Sequence, residues 1–231
     1  KPPSGLPIER THTMNAEEKS ANLELEGASY MLMGRILRQM PEHAWLNALA
    51  TEGVFDEIPY AQGNDSVQKG AEALRSWAAD YTEEKADRVY NDCMALLIGP
   101  GKPLAAPWES VYSEANEGLI FQQETADVRK AYRAFGLQVD QLYHEPDDHI
   151  AYELEFMAAL SSRAAEALSE GRDDEARTFL DAKDAFLTGH LQTWAFKWCD
   201  LVDEHASTDF YRGISLLVRG FLQESLSGVC A

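Results

Sequence analysis

The chain has 231 residues, of which 45% are hydrophobic and 10% aromatic, enough to close a sizeable core and too apolar for a disordered chain. Its 20 basic and 39 acidic residues give a formal net charge of −19, a field that repels nucleic acid and anionic lipid and attracts basic partners at long range. No run approaches the roughly eighteen uncharged apolar residues of a membrane span, because the most apolar segment, Phe210 to Leu222, is broken by Arg212 and Arg219.

Residues 1–13 are rich in proline and polar groups and have no periodicity, so they read as a flexible tail or a cloning remnant, with Met14 as a candidate start. Dropping Lys1, Arg10 and Glu9 with that tail leaves the folded part at −20. The first helix is expected from about Ala21 to Met40, stopped by Pro41, and a second carries Trp45, Ala48 and Leu49. From Asp65 onward Val67, Ala71, Leu74, Ala78 and Tyr81 recur at spacings of four and three, an amphipathic stripe. Asp80 and Glu83 have the spacing of a capping box, opening a helix with Ala86, Val89, Tyr90, Cys93, Leu96 and Leu97 on one face.

Gly118 to Gln123 is the one stretch that could pass for a strand. Helical periodicity returns with Val128, Ala131, Tyr132 and Phe135 and stops at Gly136. Ile150, Leu154, Met157, Ser161 and Leu168 mark another helix, closed by Gly171. Asp173 starts a long helical region with Phe179, Phe186, Leu191, Trp194, Trp198 and Leu201, and Thr208 caps a last helix bearing Phe210, Ile214, Leu217, Phe221 and Leu222. The expected fold class is therefore all-α. Cys93, Cys199 and Cys230 are odd in number and form no CxxC pair, so they read as structural thiols of a protein kept in the cytoplasm.

Two segments interrupt the helices, and function tends to sit at such breaks. Gly99-Pro100-Gly101-Lys102 lacks the spacing of a phosphate loop, and its prolines cannot donate N–H groups. It leads instead to Trp108, Glu109, Ser110, Val111 and Tyr112, where a carboxylate lies between two aromatics. That arrangement suits an apolar peptide with basic residues, or simply two core rings covering a loop. The second break, 143–149, holds His144, Glu145, Asp147, Asp148 and His149, followed by Glu153 and Glu155. Pro146 keeps the two histidines off a common helical face, so no prebuilt metal site is expected. Asp147 or Asp148 is expected to cap the helix beginning near His149, with a ligand-binding role open beside it. No nucleophile constellation and no GxSxG is present, so no catalytic residue is assigned.

In order along the chain, Val89-Tyr90-Asn91-Asp92 through Leu96-Leu97-Ile98-Gly99-Pro100, then Ala106-Pro107-Trp108-Glu109-Ser110-Val111-Tyr112, then Glu145-Pro146-Asp147-Asp148-His149-Ile150 with Glu153-Leu154-Glu155-Phe156-Met157, and late His190-Leu191-Gln192-Thr193-Trp194 and Phe210-Tyr211 form a set. This ordered set resembles the TorD/DmsD (NarJ-like) family of maturation chaperones for exported molybdenum enzymes, over roughly residues 21–226. Cys93 and Met94 depart from the family's usual groups. The resemblance implies a single helical fold with a larger N-terminal part, 14–142, and a smaller C-terminal part, 150–231. The two would meet at a hinge over 143–149, built by Tyr143, Glu145, Pro146 and Asp147. It also implies binding of a twin-arginine signal peptide and of the immature form of a molybdopterin oxidoreductase, by a site including Trp108, Glu109, Tyr112, Asp148, His149 and Glu153. Some family members bind GTP weakly near the hinge, and some form domain-swapped dimers rather than monomers. No cofactor, metal or nucleic-acid partner is expected. The competing readings are a helical adaptor and a metal-dependent hydrolase using the cluster from His144 to His149.

Overall fold

A computed structural model describes residues 15–140, 142 and 144–228. The tail with Met14, as well as Tyr143 and Cys230, falls outside the described residues. Among those described there is no strand, and the fold is all-α. The helices are α1 (Ala16–Arg38), α2 (His43–Thr51), α3 (Asp65–Ala79), α4 (Glu83–Cys93), α5 (Gln123–Ala134), α6 (Ile150–Ser169), α7 (Asp173–Phe186), α8 (Gln192–His205) and α9 (Asp209–Ser227). No helix among the described residues is long and apolar enough to cross a membrane.

The local signals explain most of the boundaries and correct several expectations. α1 begins five residues earlier than expected, because Asn15 and Glu18 form a reciprocal capping box. Asp80 does not open α4; it closes α3, and Thr82 caps α4 by accepting the Lys85 N–H. The segment Gly118 to Gln122 is a bent loop rather than a strand. Thr208 caps α9 as expected, accepting the Tyr211 N–H. Gly136 and Gly171 take the left-handed conformation beyond α5 and α6.

Two crossings hold the body together, and both run on small residues. Along α1 and α6, a Cβ added to Gly34 would lie 2.8 Å from the Ala151 carbonyl, and one added to Gly27 would lie 3.2 Å from that of Ala158. Along α3 and α9, a Cβ on Gly70 would lie 2.8 Å from the Gly213 carbonyl, and one on Gly220 would collide with Val67 Cγ2. Nothing larger fits where the backbones approach this closely. One contiguous apolar core follows, drawing Tyr30, Leu74, Val89, Met157, Trp194, Trp198 and Phe221 from both ends of the chain. Cys93 and Cys199 are buried free thiols within it, and burial pushes the Cys199 thiol up to about 12. Such thiols are inert packing groups, as expected from the sequence.

A buried ionic cluster fastens four helices. The Lys183 ammonium of α7 donates to Glu26 of α1 at 2.5 Å. Ser161 of α6 and Ser225 of α9 donate to the same carboxylate at 3.1 and 2.8 Å. The Tyr30 hydroxyl lies 2.9 Å from Ser225 Oγ. No atom of this cluster is left without a partner.

Two wide helical turns with i→i+5 bonding interrupt the regular geometry, at Met94–Ile98 and at Leu187–Leu191. The first ends at Gly99, whose φ of +95° and crowding against the Gly101 carbonyl admit no side chain. The second lies between α7 and α8 and carries His190. Wide turns of this kind redirect the side chains after them and recur at functional sites.

Candidate functional site

The two breaks in the helical pattern meet in space. Ile150 N–H donates to the Pro107 carbonyl at 2.8 Å and Glu109 N–H to the Asp148 carbonyl at 2.9 Å. Trp108 and His149 thereby form an isolated antiparallel bridge, with the Trp108 ring edge-on to the imidazole at 5.9 Å.

Asp148 is fully buried, and both of its oxygens are engaged. Oδ2 accepts the Ser110 N–H at 2.8 Å and Oδ1 accepts the Thr125 hydroxyl at 2.6 Å. Those donors stand at the two ends of the segment 111–124, so one carboxylate clasps both ends of that loop. Asn116 repeats the clasp inside it, donating to the Ser110 carbonyl at 3.0 Å and to Glu124 at 2.7 Å. The neighbouring Asp147, also fully buried, holds Arg129 of α5 in a bidentate pair at 2.6 to 3.1 Å, and its carbonyl accepts the Tyr132 hydroxyl. A buried carboxylate needs such partners to stay charged.

With both aspartates occupied by distant donors, neither caps α6, contrary to expectation. His149 is the cap, its Nδ1 accepting the Ala151 N–H at 3.1 Å. That role requires a neutral ring with its proton on Nε2. Burial, with Arg38 adding to it, lowers the His149 pKa from 6.5 to about 3, in keeping with that role. Glu145 accepts the Tyr152 hydroxyl at 3.0 Å and lies 3.8 Å from His149 Nε2. His144, by contrast, is exposed.

On the other side of the bridge, Glu109 meets His190 Nδ1 at 2.8 Å and accepts the Thr193 hydroxyl at 3.4 Å. Glu153, without exposed surface, accepts the Trp194 indole N–H at 3.2 Å through Oε2. Its Oε1 has no partner, and neither do Ser110 Oγ and Trp108 Nε1. Burial first, then the nearby Glu109 and Asp148, push the Glu153 carboxyl well above the usual carboxylate range, which favours its protonated form. The half-buried Tyr112 donates its hydroxyl to the Ala106 carbonyl at 2.8 Å, and its ring packs on Trp194 at 5.2 Å.

The residues proposed from sequence as a binding site therefore converge, but as an interior junction. Glu109, Asp148, His149 and Glu153 are buried, while Trp108 and Tyr112 are half-exposed. Among the described residues no grouping of three or more His, Cys, Asp or Glu side chains could hold a metal ion. Sequence reasoning missed Thr125, Arg129 and Tyr132 as members of the junction. Their only sequence signal was a place on α5, and which face of α5 meets the break depends on tertiary packing.

Residues 62–200 match the family model described as nitrate reductase delta subunit. Chaperone protein TorD of Vibrio cholerae serotype O1 (strain M66-2) is 28% identical over 133 residues, 58% of this chain and 58% of that protein. Tat proofreading chaperone DmsD of Salmonella typhi is 29% identical over 149 residues, covering 64% of this chain and 66% of that protein. Chaperone protein TorD of Aliivibrio fischeri is 26% identical over 160 residues, 69% of this chain and 72% of that protein. The chain thus spans 58% to 66% of the length of the first two relatives. All three carry chaperone names, as the absence of an assigned catalytic residue anticipated. With a family model covering well over half of its length, this chain belongs to the nitrate reductase delta subunit family, the group that includes the TorD and DmsD chaperones.

Proposed function

We propose that this protein is a cytoplasmic chaperone that binds the twin-arginine signal peptide and the immature form of a molybdopterin oxidoreductase, holding the enzyme until its cofactor is inserted and before export. Family membership carries this reading. The chemistry of the chain supports it: a twin-arginine leader is basic at one end and apolar in the middle, and this protein is strongly acidic with aromatic rings grouped around carboxylates. Ordering a flexible peptide costs roughly 2–5 kcal/mol, so apolar burial must supply most of the affinity while surface charge steers and orients.

In this reading Trp108 and Tyr112 stand at the rim of the site, and Glu109, Asp148, His149 and Glu153 shape it from beneath. Glu145, Pro146 and Asp147 serve as the hinge between the N-terminal and C-terminal parts, with the Arg129–Asp147 pair as its latch. The reading requires no catalysis, no bound cofactor and no GTP, and it works equally for a monomer or a domain-swapped dimer.

Calorimetric titration with a twin-arginine leader tests it, alongside the same peptide carrying Lys-Lys. The expected result is micromolar or tighter binding, about −8 kcal/mol or better, with a negative heat-capacity change. Absence of binding to every leader of the molybdopterin oxidoreductases encoded in the same genome would overturn the reading. Binding to a leaderless enzyme alone would instead establish an adaptor.

A further inference from the structure

The junction described above clasps a loop whose most exposed residues are apolar. Leu119, Ile120 and Phe121 are consecutive and are 60%, 39% and 44% exposed. Three large apolar groups in a row facing water are unfavourable for a chain that has a core to fill, and contiguous patches of this kind mark interaction surfaces. The backbone is bent to keep them there. Glu117 and Phe121 both take left-handed φ values, +52° and +60°, as does Gly118 between them, at +80°. A phenylalanine in that region is uncommon and costs conformational energy.

The loop is nonetheless firmly held. Leu119 N–H donates to the Asn116 carbonyl at 2.9 Å, and the Gln122 side chain donates to the Ile120 carbonyl at 2.8 Å. Asn116 and Asp148 close its base, as above. The charge along it is mainly of one sign: residues 103–128 contain Glu109, Glu114, Glu117, Glu124 and Asp127 and no lysine or arginine, and Lys102 stands against the loop, its Nζ 4.0 Å from a Cβ placed on Gly118. An apolar surface on a segment with five carboxylates is complementary to a peptide with an apolar run beside basic residues. It is a poor match for a second copy of this acidic chain, whose like charge would oppose it.

We propose that Leu119, Ile120 and Phe121 are the docking platform for the apolar run of the leader peptide, and that Asp148 is a positioning residue that holds this platform in place. The inference rests on the function proposed above. In it a fully buried carboxylate acts on peptide binding through the loop that it closes, without touching the ligand.

The test compares the wild-type chain with Leu119→Ser/Ile120→Ser/Phe121→Gly and with Leu25→Ser, a control on α1 where the side chain is 55% exposed. The triple variant keeps or raises its unfolding midpoint, because its side chains are exposed and glycine relieves the left-handed strain at 121. Its affinity for the twin-arginine leader falls roughly tenfold or more, the loss expected when large apolar groups are no longer covered. The Leu25→Ser control binds as wild type does. A photo-crosslinker introduced at 121 captures the apolar run of the peptide, and one at 25 does not. A folded triple variant with wild-type affinity overturns the platform while leaving the chaperone reading intact. A wild-type chain that binds no leader overturns both.

Discussion

Two of the clusters of buried polar groups among the described residues are finished to different degrees. At one, Lys183, Glu26, Ser161 and Ser225 join α7, α1, α6 and α9, and every polar atom has a partner. At the other, around Asp148 and Glu153, three buried atoms have none: Glu153 Oε1, Ser110 Oγ and Trp108 Nε1. A satisfied network specifies one packing, whereas an incomplete one is a place where a rearrangement can gain hydrogen bonds. In the function proposed above, the difference separates a structural fastening from the region that responds to a ligand.

Removing one member of the satisfied cluster should have the largest effect on stability. Lys183→Met leaves Glu26 buried without its counter-ion and is expected to destabilise the fold by about 3–5 kcal/mol, read from denaturant unfolding. Leader affinity of the remaining folded protein should be unchanged. Pairing it with Glu26→Leu should recover most of the loss, since an apolar pair replaces a buried ion pair at little cost. If Lys183→Met were instead neutral, the contrast between the clusters would collapse.

Asp148→Ala comes next. It strips acceptors from the Ser110 N–H and the Thr125 hydroxyl and should cost about 1–3 kcal/mol, because the stranded donors are buried. Unlike the lysine variant, it should weaken leader binding as well, measured by titration at a temperature where the variant is folded.

Glu153→Gln should change stability by under about 1 kcal/mol at neutral pH, since the amide mimics the protonated carboxyl that burial favours. Its signature is the pH profile. With the folded pKa raised well above 4.5, the folded state keeps a proton that the unfolded chain releases. The stability this group contributes is therefore complete below about pH 4.5 and is lost as pH rises towards its folded value. The variant should lose less stability on the alkaline side, and identical profiles would refute the neutral carboxyl. His149 works in the opposite sense: its folded pKa of about 3 makes its contribution complete above pH 6.5 and progressively lost as pH falls below that. The smallest effect belongs to Thr193→Val, which removes the 3.4 Å bond to Glu109 and an exposed 2.7 Å bond to the His190 carbonyl of the same helical segment and should shift stability by no more than about 0.5 kcal/mol.

What was legible in the sequence was what is decided locally. The stripe from Val67 to Ala78, the Thr208 cap and the stop at Gly136 depend on neighbours a few residues away, and each is found where expected. The caps of α4 and α6 were misplaced because aspartates next to them looked equally suited. In fact Asp147 and Asp148 are occupied by Arg129, Ser110 and Thr125, which lie 18, 38 and 23 residues away. The run Leu119-Ile120-Phe121 has strand-like composition, yet left-handed turns at Glu117 and Phe121 make a ladder impossible there. The motif order named residues that meet in space, but it could not show that four of its six proposed side chains face inward.

The seam between α1 and α6 also bears on how the chain is made. Gly27 and Gly34 are shaped for Ala158 and Ala151, residues that leave the ribosome more than a hundred positions later. At roughly 5–20 residues per second, α1 waits on the order of ten seconds without its partner. During that interval the buried side of α1, with Leu23, Tyr30, Met33 and Leu37, has nothing to cover it. Such long-range pairing slows folding relative to a bundle of sequential neighbours. In the function proposed above, a protein that shelters the unfinished state of another passes through a vulnerable state of its own, and its yield on rapid synthesis should depend on how well that first helix is protected.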